Sequence, residues 1–164
     1  MLGRTYDREV CSAARALETA GERWSLLILR NAAFAGMTRF TEFQHSLGIA
    51  PNILAARLEH FVETGIMVAS EGPAGHRTYH LTDKGLDFKP VIIALTEWGD
   101  RWAAPDGRPI AYEHDGCGGR VRHELHCEKC GERVRPRGVA ARKTAAMKRL
   151  QALRAAGRSG KRRG

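Results

Sequence analysis

Residues 38–85 constrain the fold more than any other stretch of the chain. Thr38–Leu47 sets Phe40, Phe43 and Leu47 at the three- and four-residue spacing of one helical face. Gly48-Ile49-Ala50 follows as a turn, with Gly48 free to take the left-handed conformation that ends a helix. Pro51 suits the first position of a new helix, where its missing N–H has no intrahelical partner. From Pro51 to about Thr64, Leu54, Leu58, Phe61 and Val62 form one stripe, and Asn52, Ala56, Glu59 and Glu63 lie opposite. Gly65 closes that helix. Ile66–Ser70, the turn-rich Glu71–Gly75 and Arg77–Thr82 then read as strand, turn, strand. Two helices at a sharp turn, followed by a hairpin, predict a winged helix-turn-helix that reads double-stranded DNA.

The flanks supply the rest of a small helical domain. Arg8 to about Ala20 reads as a helix, with Val10, Ala13, Ala14 and Leu17 on one side. After Gly21-Glu22-Arg23, the apolar run Trp24–Ala33 has a buried strand as its rival reading, but its Leu, Ala and Arg content favours a helix. Phe34-Ala35-Gly36 links it to the motif. Beyond Gly85, Val91, Leu95, Trp98 and Trp102 recur at helical spacing, with Pro90 at a start or a kink. Pro105–Pro109 is a linker. The expected fold is mainly α with a small β wing: a winged-helix domain over 8–104, a Cys-containing ribbon-like extension over 105–136, and a basic tail, partly helical or disordered, over 137–164.

The 164 residues, 43% hydrophobic, allow one cored domain and a small appendage. No run approaches the roughly 20 apolar residues of a membrane span, and the start lacks a signal-peptide pattern. A cytoplasmic protein without a membrane partner is expected. The net charge is +9, but eleven Lys and Arg lie from Arg135 onward without one acid, leaving the rest of the chain at −2. Any DNA footprint on the folded part is therefore local. The tail is either a solvated end or a source of sequence-independent phosphate attraction.

Within the motif, Asn52 and Ala56 project near the end of the second helix that meets base edges. Asn suits bidentate bonding to adenine, and an Ala methyl can touch a thymine methyl. Arg57 flanks that face, His76 and Arg77 sit at the hairpin tip, and Lys84 follows the second strand. With Arg39 and Pro51 at the two helix starts, these are the candidate DNA contacts. Glu59 and Glu63 would repel phosphate.

The cysteines are Cys11, Cys117, Cys127 and Cys130. Two disulfides are conceivable, but Cys127-Glu128-Lys129-Cys130-Gly131 in a chain of this size reads better as a metal knuckle. Cys117-Gly118-Gly119 gives half of a second one. Zn²⁺ takes four N or S ligands, so three cysteines need one more: His114 fits best, with His123 or His126 as alternatives. The expected cofactor is structural Zn²⁺ on His114, Cys117, Cys127 and Cys130; a metal-free hairpin with reduced thiols is the plainer alternative. There is no phosphate loop, nucleophile elbow or His-Glu-x-x-His, so no enzyme is expected.

Several segments together resemble the HxlR-type (MarR-like) winged helix-turn-helix transcriptional regulators. They are Cys11, Ala16-Leu17 and Gly21–Arg30 at the start, then Arg39–Phe43, Leu58, Gly65 and Leu81-Thr82-Asp83-Lys84-Gly85. The likeness spans roughly residues 8 to 103. It implies a homodimer built through the first and last helices, which would put Leu95, Trp98 and Trp102 in an interface. Some members sense oxidants at an N-terminal cysteine, which makes Cys11 a candidate redox residue and leaves an unknown small-molecule or redox effector open. Arg8 and Arg15, one turn either side, would favour its thiolate; a small buried hydrophobe is the other reading. The sequence departs from the family at Ala50, where a Ser usually caps the second motif helix, and at Met67–Ser70, which lacks the usual Arg. An interaction module that uses the ribbon and the Trp-bearing helix, with the winged helix as scaffold, is the competing function.

Overall fold

The computed structural model describes Tyr6, Glu9 and residues 11–72 and 75–160, with side chains to Leu153. Arg8 and Val10, part of the expected first helix, lie outside the described residues. The elements in order are α1 (Ser12–Ala20), α2 (Ser25–Phe34), α3 (Phe40–Leu47), α4 (Pro51–Glu63), β1 (Met67–Glu71), β2 (Arg77–Leu81), α5 (Asp83–Leu86), α6 (Lys89–Trp102), a 3₁₀ turn at Pro136–Gly138, and α7 (Ala145–Gly160). The described chain divides into two compact units, Thr19–His123 and the residues on either side of it.

In the first unit, one cluster of Ile28, Leu29, Phe43, Ile49, Leu54, Leu58, Phe61, Ile66, Met67, Tyr79 and Ile92 forms the core. Each motif element contributes the residues its periodicity marks. Phe43 of α3 and Leu54, Leu58 and Phe61 of α4 are fully buried. The apolar run after Trp24 is a helix, as its composition predicts. Its buried Asn31 donates through Nδ2 to Ser46 Oγ at 3.0 Å and accepts from Arg30 Nε at 3.0 Å, so α2 is tied to α3 by polar as well as apolar contacts.

The wing is a two-stranded antiparallel sheet in register from Met67↔Leu81 to Glu71↔Arg77. It reaches back to the motif: Tyr79 N–H donates to Thr38 O at 2.8 Å, and Arg39 bridges Thr78. This pairing holds Arg39 in extended backbone, so α3 begins at Phe40 and not at Thr38, where the sequence places its start. Glu42 holds the junction, its carboxylate accepting the N–H of Thr38 at 2.8 Å and of Arg39 at 2.9 Å. Those bonds, Arg39's first, hold its carboxyl below the ordinary carboxylate range. The wing passes into α5, a single turn the periodicity does not show, capped by Thr82 Oγ1 accepting from Gly85 N–H at 3.2 Å.

Helix α6 buries Ile92 in the core, while Val91, Leu95, Trp98 and Trp102 are 50%, 51%, 62% and 65% exposed. The linker beyond it is pinned by Arg108 Nε on Asp100 at 2.6 Å. The chain then returns to the winged helix. The Tyr112 ring packs on Phe34 with centroids 4.3 Å apart, and its hydroxyl lies 3.2 Å from Thr96 Oγ1. Glu97 accepts from His123 N–H at 3.3 Å and pairs with Arg120 at 4.0 Å.

The second unit carries a hairpin over Leu125–Val134, the 3₁₀ turn and α7, which Thr144 caps by accepting Met147 N–H at 3.2 Å. Part of the expected basic tail is therefore helical. Among the described residues, no helix is long and apolar enough to cross a membrane.

Candidate nucleic-acid interface and cysteine hairpins

The turn between the motif helices forms as its residues dictate. Gly48 takes φ 60° and donates to Gln44 O at 2.9 Å, which ends α3. Ala50 is extended and caps α4 with backbone alone, so only the pre-set φ of Pro51 favours the helix start. With Leu54, Leu58 and Phe61 turned inward, Pro51, Asn52, Ala55, Ala56 and Glu59 are exposed on the opposite side. Ile53 joins them at 41% exposure. Sequence reasoning missed it; the signal was its place one residue before Leu54, a turn of about 100° off the buried stripe.

Beside this face, three of the expected DNA contacts meet. Arg39, Phe40, Thr41, His76, Arg77 and Tyr79 line a cavity of about 240 Å³ between the start of α3 and the wing. Arg77 is held there by Glu59 at 3.4 Å and lies over the Tyr79 ring at 5.3 Å from its centroid. An acid of α4 that would repel phosphate thus positions the wing's arginine instead. Two other candidates have partners within the fold. Arg57, with a side chain only 16% exposed, pairs with Glu22 at 3.7 Å. Lys84 Nζ donates to Thr64 O at 2.7 Å, beside the last turn of α4, where a cation complements the helix dipole.

The cysteine-bearing residues form two short hairpins. In the first, His114 Nδ1 lies 3.3 Å from Cys117 Sγ, and Glu113 bridges Arg120. In the second, the N–H of Cys130 and then of Lys129 bond to Cys127, and with the Cys130 thiol they hold its pKa below the ordinary thiol value. His126 bridges Arg133 there. His126 Nε2 also lies 3.6 Å from Glu124. The donors come together in pairs; among the described residues no three His, Cys, Asp or Glu side chains cluster closely enough to hold an ion. Cys11 is exposed, and with Ser12, Arg15, Met147 and Leu150 it lines a cavity of about 860 Å³ in the second unit. Arg15 reaches Tyr6 O at 2.7 Å and Glu18 at 2.8 Å, while Arg8 lies outside the described residues.

The chain has close relatives. An HTH-type transcriptional regulator of Mycobacterium tuberculosis (strain ATCC 25618 / H37Rv), itself uncharacterised, is 42% identical over 132 residues, covering 78% of this chain and 82% of that protein. The crystal structure of PA1607, described as a candidate transcription factor, superposes with a TM-score of 0.74 at 38% identity, over 85% of this chain and 99% of that one. PA1374 of Pseudomonas aeruginosa, described in the same way, gives 0.58 at 34% identity with the same coverage. Residues 19–107 match the family described as HxlR-like helix-turn-helix. With the helix-turn-helix and wing in place over that span, the chain belongs to the HxlR-like helix-turn-helix family of transcriptional regulators.

Proposed function

We propose that the protein is a dimeric, sequence-specific DNA-binding regulator of the cytoplasm that lays α4 in the major groove and the wing on the backbone or in the minor groove. The observation that carries this reading is the exposed start of α4. Pro51, Asn52, Ile53 and Ala56 face outward there without an ion pair among the described residues, beside the cavity where Arg39, His76 and Arg77 gather. Base edges would meet Asn52, with Ile53 and Ala56 as apolar partners for thymine methyls. The arginines would meet phosphates and fix the register. Arg57 and Lys84, engaged within the fold, would act on DNA only through the positions they hold.

The dimer reading rests on α6. Four large apolar side chains at helical spacing are half or more exposed, two of them tryptophans, an arrangement that marks an interaction surface. Leu17 of α1 is exposed as well, at 51%. A two-fold dimer would present two copies of α4 to half-sites about one helical turn, roughly 34 Å, apart. The cavity beside Cys11 is the place where an effector or an oxidant would act. Footprinting the purified protein on genomic fragments at two salt concentrations tests the function. A salt-sensitive, sequence-limited footprint with two-fold symmetry supports it; protection of no preferred sequence would leave the interaction-module reading, which needs only the exposed tryptophans.

A further inference from the structure

The winged helix has little net attraction for a polyanion. Thr19–His123 holds eleven Lys and Arg against twelve Asp and Glu. Several of those cations are used inside the fold. Arg57 pairs with Glu22 at 3.7 Å, Arg77 with Glu59 at 3.4 Å and Arg108 with Asp100 at 2.6 Å. Arg120 lies 4.0 Å from Glu97, and Lys84 donates to Thr64 O at 2.7 Å. A surface so balanced can read a sequence, but it does not draw a duplex in from a distance.

From Arg135 onward the balance reverses, with eleven Lys and Arg and no acid. Six of these cations have described side chains, Arg135, Arg137, Arg142, Lys143, Lys148 and Arg149, and all six are exposed. Among the described residues none of the six lies within ion-pair distance of a carboxylate; the pairs end at Arg133, 3.1 Å from Glu124. Lys143 Nζ donates to the neutral Gln151 at 3.3 Å. Part of the stretch is ordered as α7, where Ala, Leu, Lys, Arg and Gln all favour helix. Lys148 and Arg149 are adjacent, about 100° apart around its axis, so cations stand on more than one side. Of the described α7 side chains only Met147 is half-buried, which leaves the helix surface open to a partner.

We propose, on the reading that α4 binds DNA, that the stretch from Arg135 is a sequence-independent arm for the phosphate backbone of duplex DNA. Lys and Arg bind phosphate oxygens without reading bases, and each phosphate they neutralise releases counterions. Because α4 and the arm belong to one chain, binding by either raises the effective concentration of DNA at the other. The labour is divided: the winged helix selects the site, and the arm supplies attraction that the selecting surface lacks. A lipid surface fits less well. Between Ala145 and Gly160 only Met147, Leu150 and Leu153 are large and apolar, too few to bury a helix face in a bilayer interface.

The test compares the full-length parent with a full-length variant carrying Arg142→Gln, Lys143→Gln, Lys148→Gln and Arg149→Gln. Equilibrium binding to a duplex of scrambled sequence is measured between about 50 and about 200 mM salt. The slope of log affinity on log salt should flatten by about three to four in the variant, so the parent loses roughly 100-fold more affinity across that range. Arg142→Gln with Lys143→Gln, which leaves α7 untouched, should flatten it by about two. Arg142→Lys with Arg149→Lys keeps the charge and should keep the slope. Base preference on the best operator should be the same in all of them, because bases are read by α4. Far-ultraviolet circular dichroism checks that each variant keeps its helices. A slope that changes by less than about one in the fourfold variant, while the operator is still protected, would overturn the arm and leave the DNA reading standing. A parent that binds no duplex at low salt would overturn both. Binding to phosphatidylserine vesicles that the four substitutions abolish, with duplex binding unchanged, would overturn the arm in favour of a membrane surface.

Discussion

Gly85→Ala is expected to destabilise the protein, against the direction that helix propensity gives. Gly85 is buried within α5, where Ala is ordinarily preferred by about 1 kcal/mol. A Cβ there would stand 2.3 Å from Ile66 O, 2.9 Å from Leu81 Cδ2 and 3.3 Å from Leu81 Cβ. Ile66 O cannot yield cheaply, because it accepts from Thr82 N at 3.1 Å and from Thr82 Oγ1 at 3.2 Å. Overpacking of this kind costs about 1–3 kcal/mol. Weakening one of those hydrogen bonds adds about 1 kcal/mol. Set against the propensity gain, the net loss is about 1–3 kcal/mol. Gly99, in α6, is the internal control: a Cβ there meets nothing within 4 Å, so Gly99→Ala should gain about 0.5–1 kcal/mol. Urea unfolding at fixed protein concentration measures both. If Gly85→Ala matched or exceeded the parent's stability, the close approach of α5 to the start of the wing would not be the reason for glycine at this position.

On the best operator, Asn52→Ala should cost about 1–3 kcal/mol and relax preference at one base pair, whereas Arg77→Ala should weaken all sequences alike and reduce the salt slope by about one; titrations at several salt concentrations separate the two. Leu95→Asp with Trp98→Asp should convert the proposed dimer to a monomer that fails to hold paired half-sites, read by sedimentation; a parent that sediments as a monomer at micromolar concentration would end the idea without a mutant. Glu42 has a folded pKa held below its ordinary value by the N–H groups of Arg39 and Thr38, so its contribution is complete above the ordinary carboxylate range and is lost as pH falls through the folded value. The stability gap between the parent and Glu42→Gln should accordingly be full at neutral pH and close on acidification; a gap independent of pH would deny the carboxylate that role.

How much of this was legible in the sequence follows from the range of the interactions involved. The motif was legible because its determinants are local: the Phe43, Leu54, Leu58 and Phe61 spacing, the Gly48 turn and the Pro51 start each act within one or two helical turns, and each appears as read. The start of α3 was not, because Arg39 is held extended beside Thr78, and Thr38 O accepts from Tyr79 N–H, some forty residues on. Local propensity yields to such a tertiary hydrogen bond. The same limit applies at the candidate site. Composition marks Arg57, Arg77 and Lys84 as cations but cannot say that Glu22, Glu59 and the carbonyl of Thr64 already hold them. The cysteine hairpins were half legible: Cys-x-x-Cys stood out by residue type and His114 by its His-x-x-Cys spacing, while the cross-strand hydrogen bonds Val121 N–H to Tyr112 O and Val134 N–H to Leu125 O appear only in the fold.

Helix α6 joins the parts of this molecule in a way no single motif announces. Ile92 faces the winged-helix core, Thr96 and Glu97 receive Tyr112 and Arg120 from the first hairpin and His123 just beyond it, and Val91, Leu95, Trp98 and Trp102 stay exposed. Fourteen residues therefore serve three surfaces at successive angles around one axis. The polar residues between the buried and exposed stripes are what the hairpin uses. Trp98 follows Glu97 directly in the chain, so the hairpin's ion pair and the exposed stripe are neighbours on α6. The Phe34 ring, under Tyr112 and 5.2 Å from Lys89 Nζ, carries the same contact to the end of α2. From α2, Asn31 donates to Ser46 of α3, two residues before the Gly48 turn. The first hairpin thus adjoins both α6, beside its exposed stripe, and the end of α2, the helix that Asn31 ties to α3.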